Sequence, residues 1–380
     1  MSDKKISQLS GASLPLAGTE QVPLVQGGVT KKVAVQDIAT PSIVIAGAGT
    51  LSTLRGGATN IASGNCSTVF GTGNNAIGNA STISGGYSNS ASVTLSFIGG
   101  GRFNTASGYL STIGGGCKNL TRAAHGFIGG GLCNNVCNST NQCLSIGAVV
   151  AGGVGNNTTG GTFNLPTCSF TVAPTICNAG QYSFIGGGFQ NSASACYTSV
   201  LGGICNTASS RYSSVTGGFA NIACGRSTFV GAGANNISSG DCSLVVGGRL
   251  NVACGSYSTL AGGTFNTSSG YYSFVGAGGG NTASGGSSVI GGGSNNTASG
   301  YFSVVVGGQQ NLASGTSAAI LGGRLNTASN SFSFIVGCGI TTDRDKTTFV
   351  NNLSIKNIPT SSAGLPAGSV WSNSGVLNIV

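Results

Sequence analysis

Along most of the chain one aliphatic position returns on a fixed beat among small and polar neighbours. A β-branched or leucine side chain stands at Ile98, Ile113, Val200, Val215, Val230, Val245, Leu260, Val275, Ile290, Val305 and Ile320. Six residues after each comes an asparagine, often within the string N-T-A-S-G. It falls at Asn191, Asn206, Asn221, Asn236, Asn251, Asn266, Asn281, Asn296, Asn311 and Asn326, 15 apart without a slip. Upstream the same beat runs through Asn74, Asn89, Asn104, Asn119 and Asn134, with Asn60 one residue early. Asn156 heads a displaced copy, which makes seventeen anchors. Three before the anchor stands glycine, as at Gly203, Gly218, Gly233, Gly248 and Gly263. Two after it is usually alanine, and four after it usually glycine.

Self-similarity at a fixed period is the mark of a solenoid. No helical period runs through the copies, and short β-branched runs cut by glycine predict strands and turns. A 15-residue copy, at roughly 3.3 Å per residue, traces a closed path of about 50 Å. That suits one coil of a narrow solenoid with two short strands per turn. The expected fold is all-β, a parallel β-solenoid (β-roll or β-helix) of about seventeen 15-residue coils. Stacked at about 4.8 Å, they would form a rod of roughly 80 Å. The repeated asparagines, Asn206, Asn221, Asn251, Asn266, Asn281, Asn296, Asn311 and Asn326, would then form a side-chain amide ladder. The glycines would take positive-φ corners.

Alternation along the strand before the glycines places the residues seven and five before the anchor on its other face. That face is also apolar, and its sizes compensate. Phe97 goes with Gly99, Phe127 with Gly129, Phe184 with Gly186, Phe229 with Gly231 and Phe274 with Gly276, whereas Ser199 goes with Leu201 and Ala319 with Leu321. Phe334 with Val336 departs from the rule. Trading volume between neighbours is what close packing imposes. The strand therefore reads as buried on both faces, and one thin coil has nothing to cover the second. A homotrimer, intertwined or side by side, is expected, with this strand at the subunit seam.

Composition narrows the class. Of 380 residues 69 are glycine, 39% are hydrophobic and only 6% are charged, which excludes a solvated disordered chain. Glycine does not recur at every third position, which excludes collagen. The opening "MSDKKISQLS" lacks the apolar run of a signal peptide, and no stretch reaches membrane-spanning length. Thirteen cysteines, an odd number without an export signal, read as reduced thiols made in a cytoplasm. Their spacings give no zinc pattern, so no metal or cofactor is expected.

The string "SVVVGGQQNLASG", Ser303 to Gly315, resembles the head repeat of trimeric autotransporter adhesins, and the likeness extends roughly from Ser52 to Gly339. The resemblance implies trimers of left-handed parallel β-rolls. Those adhesins also carry a secretion signal and a membrane-barrel anchor, neither of which is recognised here. The segment Lys5 to Ala39, with "KISQL", "GTEQVPLVQGG" and "TKKVAVQDI", resembles the N-terminal segment of many bacteriophage virion proteins. The tail "LPAGSVWSNSGVLNIV" is similar to the ends of phage and large-virus structural proteins. These resemblances imply a virion fibre or spike. The chain divides accordingly into an attachment segment at 1–45, the repeat body at 46–339 with a lateral insertion near 136–180, and a tail or cap at 340–380.

Chemistry is sparse. Between Ser52 and Gly339 the only acid is Asp241, so the carboxylate pair of a glycosidase is missing there. Asp343 and Asp345 lie at the exit in "TTDRDKTT", and the chain has one histidine, His125. A non-enzymatic protein is expected. The net charge is +9, and Arg211 and Arg226 sit one period apart. They suit either an anionic surface glycan or a merely solvated edge. No nucleic-acid module is present.

Aromatics recur five or six residues after the anchor, among them Tyr271, Tyr272 and Tyr301. They would stack on sugar rings or pack coil on coil. The insertion, with Phe163 and Phe170, would contact the host or brace neighbouring subunits. Its Cys168 and Cys177 are open to pairing. The function expected is host-surface attachment by a virion fibre, probing receptor or glycan through three copies of a weak site. The rivals are a decoration or filament without receptor binding, a polysaccharide depolymerase, and an ice-binding rod, the last lacking a flat ladder of paired threonines.

Overall fold

The computed structural model describes residues 21–26, 29–34, 44–55, 59–137, 142–354, 356–373 and 376–380. They fall into two compact units, Met1–Cys242 and Ser243–Val380. Each is a parallel β-solenoid whose coils follow the 15-residue beat.

In the first unit the strand before the glycines makes eleven rungs, from Thr53–Arg55 through Phe97–Ile98 and Phe184–Ile185 to Phe229–Val230. Each pairs in parallel with the next in constant register, as in Ile98↔Ile113 and Val200↔Val215. A second track follows the anchor, as in Thr105–Ala106. A third is a single bridged residue two before the anchor, as in Arg102↔Cys117. In the second unit the first track runs from Leu244–Val245 through Phe334–Val336 to Thr348–Val350. The last two rungs lie beyond Asn326, so parallel pairing outlasts the asparagine beat and continues past Gly339.

The core of a coil is thin. The aliphatic residue six before the anchor and the alanine two after it face each other, both fully buried, as with Ile98 and Ala106 or Ile290 and Ala298. So little apolar volume per coil makes each dependent on its neighbours, as in other repeat arrays. The asparagines supply the rest. Asn206, Asn221, Asn251, Asn266, Asn281, Asn296, Asn311 and Asn326 are all buried. Their ladder is built mainly from side chain to backbone. Nδ2 of Asn266 donates to the carbonyls of Gly262 and Gly278, at 3.0 and 2.9 Å, while its Oδ1 accepts the N–H of Asn281 at 2.9 Å. Direct amide-to-amide links supplement this in some coils, as from Asn311 Nδ2 to Asn296 Oδ1 at 3.1 Å.

Three residues per coil have positive φ. The glycine three before the anchor is one, as at Gly203 with φ 88°. The other two carry ordinary side chains: the residue just before the anchor (Cys205, φ 56°) and the one six after it (Tyr212, φ 63°). Strand N–H groups donate forward to the next coil, as Ser199 does to the Ser213 carbonyl. The two left-handed corners donate backward, Cys205 to the Phe189 carbonyl and Tyr212 to that of Cys196. The left-handed conformation is what turns those N–H groups around, and the hydrogen bonds so gained offset its usual cost of about 1–2 kcal/mol per residue.

The insertion interrupts the second track between Asn135–Val136 and Ser192–Ala193. It carries a 3-10 turn at Gln142–Ser145 and two antiparallel ladders, Thr158–Thr159 with Thr175–Ile176 and Thr162–Asn164 with Ser169–Val172. Residues 138–141 of the insertion read at 136–180 lie outside the described residues. Of the segment read as 1–45, the described part holds an antiparallel hairpin, Gln21–Gln26 with Val29–Ala34. Its residues 1–20, 27–28 and 35–43 lie outside. Val44–Ala46 runs antiparallel along Thr53–Arg55 and covers the open edge of the first rung, the kind of capping that sheet edges need. The tail ends in a hairpin, Val370–Asn373 with Val376–Ile379.

Candidate functional site

A coil presents a corner of aromatic and charged residues just after the second strand. In the first unit Tyr182, Tyr197 and Tyr212 stack with centroids 5.4 and 5.3 Å apart. The guanidinium of Arg211 lies 4.7 Å from the Tyr212 centroid and 5.8 Å from that of Tyr197, a cation–π arrangement. Arg226 is exposed one coil further, and its backbone N–H meets the Asp241 carboxylate at 3.2 Å. In the second unit Tyr257 stacks on Tyr272 at 4.9 Å, and Tyr271 leans edge-on against Tyr272 at 4.3 Å. A hydrogen bond with Tyr272 pushes the Tyr271 phenol above its ordinary pKa. Tyr301 meets Phe302 edge-on at 4.2 Å. These rings pack coil on coil and remain about half exposed, so the same ladder both stiffens the stack and offers ring faces to solvent.

The outer face of the first strand carries several large apolar side chains that are open in the single chain, between coils that place Thr or Ser there, as at Thr112 and Ser214. Phe97, Phe127, Phe184 and Phe274 are 37–40% exposed, and Leu201 and Leu321 about half. The size compensation has a local component that the sequence did not separate from subunit packing. A Cβ at Gly99, Gly129 or Gly276 would first meet the next coil's carbonyl oxygen, at 2.3, 2.2 or 2.3 Å, and would touch Cε1 of Phe97, Phe127 or Phe274 at an ordinary 3.6, 3.5 or 3.5 Å. Each ring lies over its own glycine.

The insertion folds back onto the body. Phe163 and Phe170 are half-buried and form a cluster with Phe189, with centroids 5.1 Å apart for the first pair and 5.4 and 6.3 Å to Phe189. They therefore anchor the hairpin on the body while each keeps part of its surface exposed. Sequence spacing gave no sign of this, because Phe189 belongs to the next coil. Cys168 and Cys177 are both free thiols, and burial pushes the Cys177 thiol above its ordinary pKa.

Among the described residues the three carboxylates, Asp241, Asp343 and Asp345, each accept a hydrogen bond. Asp343 forms a two-point ion pair with Arg344 at 2.8 and 3.0 Å, which holds its carboxyl below the ordinary range. Asp345 accepts the N–H of Ser331 at 2.8 Å, and Asp241 that of Arg226. His125 rests edge-on against Tyr109 at 6.0 Å. Among the described residues no cluster of His, Cys, Asp or Glu could hold a metal ion, and no helix is long and apolar enough to cross a membrane.

Fold and surface together define a parallel β-solenoid repeat protein with an aromatic corner and a sheet face that carries exposed large apolar side chains. No family model matches the chain, and no curated protein matches it significantly.

Proposed function

We propose that this chain is a non-enzymatic fibre or spike protein of a virion, assembled as a homotrimer and used to attach to a host-surface glycan or receptor. The observation that carries the reading is the outer face of the first strand, where Phe97, Phe127 and Phe184 recur on every second coil and stand 37–40% exposed. Exposed large apolar side chains recurring along one strand track favour an association site. Sister copies fit it, because an identical repeat presents an identical stripe and a closed ring of three leaves none of it wet. The scarcity of carboxylates favours attachment over glycan cleavage, since a hydrolase normally needs two flanking the bond and Asp241 is the only acid between Ser52 and Gly339. The resemblance of the terminal segments to virion proteins supports the placement on a particle, with synthesis in the host cytoplasm.

Light scattering on the purified protein is expected to give about three times the 36.9 kDa chain mass, and antibody to the chain to label virions. A lone 36.9 kDa subunit would remove the basis of the proposal. A second reading, a structural decoration without receptor binding, is favoured by the tyrosines being spent on coil-to-coil stacking. Adsorption of the isolated trimer to host cells separates the two.

A further inference from the structure

The turn of the insertion hairpin encloses space as well as covering Phe189. With the corner of the preceding coils it closes a crevice of about 210 Å³, lined by Arg102, Lys118 and Leu132 from the body and by Thr167, Ser169 and Phe170 from the hairpin. Arg102, Cys117 and Leu132 are consecutive rungs of the corner track. One rung before Arg102 on that track is Tyr87, whose ring meets Phe103 edge-on at 5.7 Å, both about half exposed. Three rungs from Tyr87 to Leu132 span about 14 Å.

Arg102 and Lys118 are exposed, and among the described residues neither forms an ion pair. The one acid between Ser52 and Gly339, Asp241, is held at the Arg226 backbone. Two unneutralised cations thus share one small concavity. Opposite them the Thr167 and Ser169 hydroxyls lie 2.9 Å apart with acceptor capacity left, and Phe170 and Leu132 form an apolar wall. Burial pushes the Cys133 thiol at this wall upward while Lys118 pulls it down, so the wall is desolvated and lies within the field of the ammonium.

We propose that this crevice binds an acidic sugar of a surface glycan, its carboxylate held by Arg102 and Lys118. The sugar hydroxyls meet Thr167 and Ser169, the apolar ring face lies on Phe170, and the glycan continues along the track to Tyr87 and Phe103. Charge-assisted bonds to guanidinium and ammonium supply the selectivity for an anion. A site smaller than the roughly 300–1,000 Å³ of drug-sized ligands fits one ring. Nucleic acid would need many more phosphate contacts than two cations provide. The assignment rests on the glycan-attachment reading and gives it a location, since the hairpin that builds the crevice interrupts the repeat only here.

Calorimetric titration of the full-length protein with sialylated, uronate-bearing and neutral oligosaccharides of equal length tests it. Binding is expected for the acidic ones, at least tenfold weaker for the neutral one, and weaker as salt is raised. Arg102→Gln with Lys118→Gln should reduce affinity at least tenfold, whereas Arg211→Gln with Arg226→Gln should not. Glutamine is native at the Lys118 corner in two other coils, Gln190 and Gln310, with φ 49° and 55°, so the fold tolerates the change. Bound sugar should also slow alkylation of Cys168, which lines the crevice. If the acidic sugar binds the Arg102–Lys118 double variant as tightly as the wild type, the crevice is the wrong place and glycan attachment stands. If the wild type binds no glycan at all, both fall.

Discussion

At the scale of single residues, the chain separates positions that look alike in sequence. Gly202 and Gly203 are adjacent glycines in the same turn. At Gly203, φ is 88° and a Cβ would stand 2.3 Å from the Gly218 carbonyl oxygen, whereas nothing lies within 4 Å of one at Gly202. Gly203→Ala is therefore expected to destabilise by about 3 kcal/mol or more, combining left-handed strain with a backbone collision, and Gly202→Ala by less than about 0.5 kcal/mol. Urea unfolding of the two variants side by side checks the contrast. Asn266→Ala strands the Asn281 N–H and the Gly262 carbonyl, while the Gly278 carbonyl keeps the Thr264 N–H at 2.9 Å, and each unsatisfied buried group costs about 1–3 kcal/mol. A loss of about 3 kcal/mol or more is expected in the same assay. An equal loss for Thr267→Ala, one residue along and half-exposed, would show the ladder to be unimportant.

At the scale of elements, the informative place is the missing rung of the second track. Asn157 fills it with one side chain. Its Nδ2 donates to the Asn135 carbonyl at 3.0 Å, and its Oδ1 accepts the Ala193 N–H at 3.0 Å, the two groups a strand would have satisfied. The Asn157 carbonyl in turn accepts the N–H of Cys177, where the insertion returns. Asn157→Ala should cost about 2–4 kcal/mol and raise hydrogen exchange at Ala193 before that of remote coils. Uniform exchange along the stack would contradict the bridging role. The sequence showed that the beat breaks between Asn134 and Asn191. It gave no hint that one asparagine carries the sheet across, because Asn157 sits outside the repeat pattern that made the other asparagines visible.

At the scale of the molecule, the proposed trimer rests on the outer face of the first strand. Leu201 and Leu321 are 54% and 50% exposed in the single chain, so lysine at either site leaves the coil itself within about 0.5 kcal/mol of the wild type. Across a three-fold seam the same lysines would be buried without partners. Leu201→Lys with Leu321→Lys is expected to release single chains of 36.9 kDa with unchanged strand content by circular dichroism. An unaltered trimer would place the seam elsewhere. Stability of the assembly should accordingly depend on protein concentration, whereas that of a lone solenoid would not.

Repeat length, strand positions, the buried aliphatic column and the glycine corner follow from the sequence, because each is local and recurs in every coil, so periodicity multiplies a weak signal. The left-handed corners at residues such as Cys205 and Tyr212, the ring of Phe97 over Gly99, the docking of Phe163 and Phe170 on Phe189, and the joining of Arg102 and Lys118 under the hairpin do not. These arise between coils or between an insertion and the stack. Their partners lie a full turn or more apart along the chain, and only the winding brings them within a few ångströms.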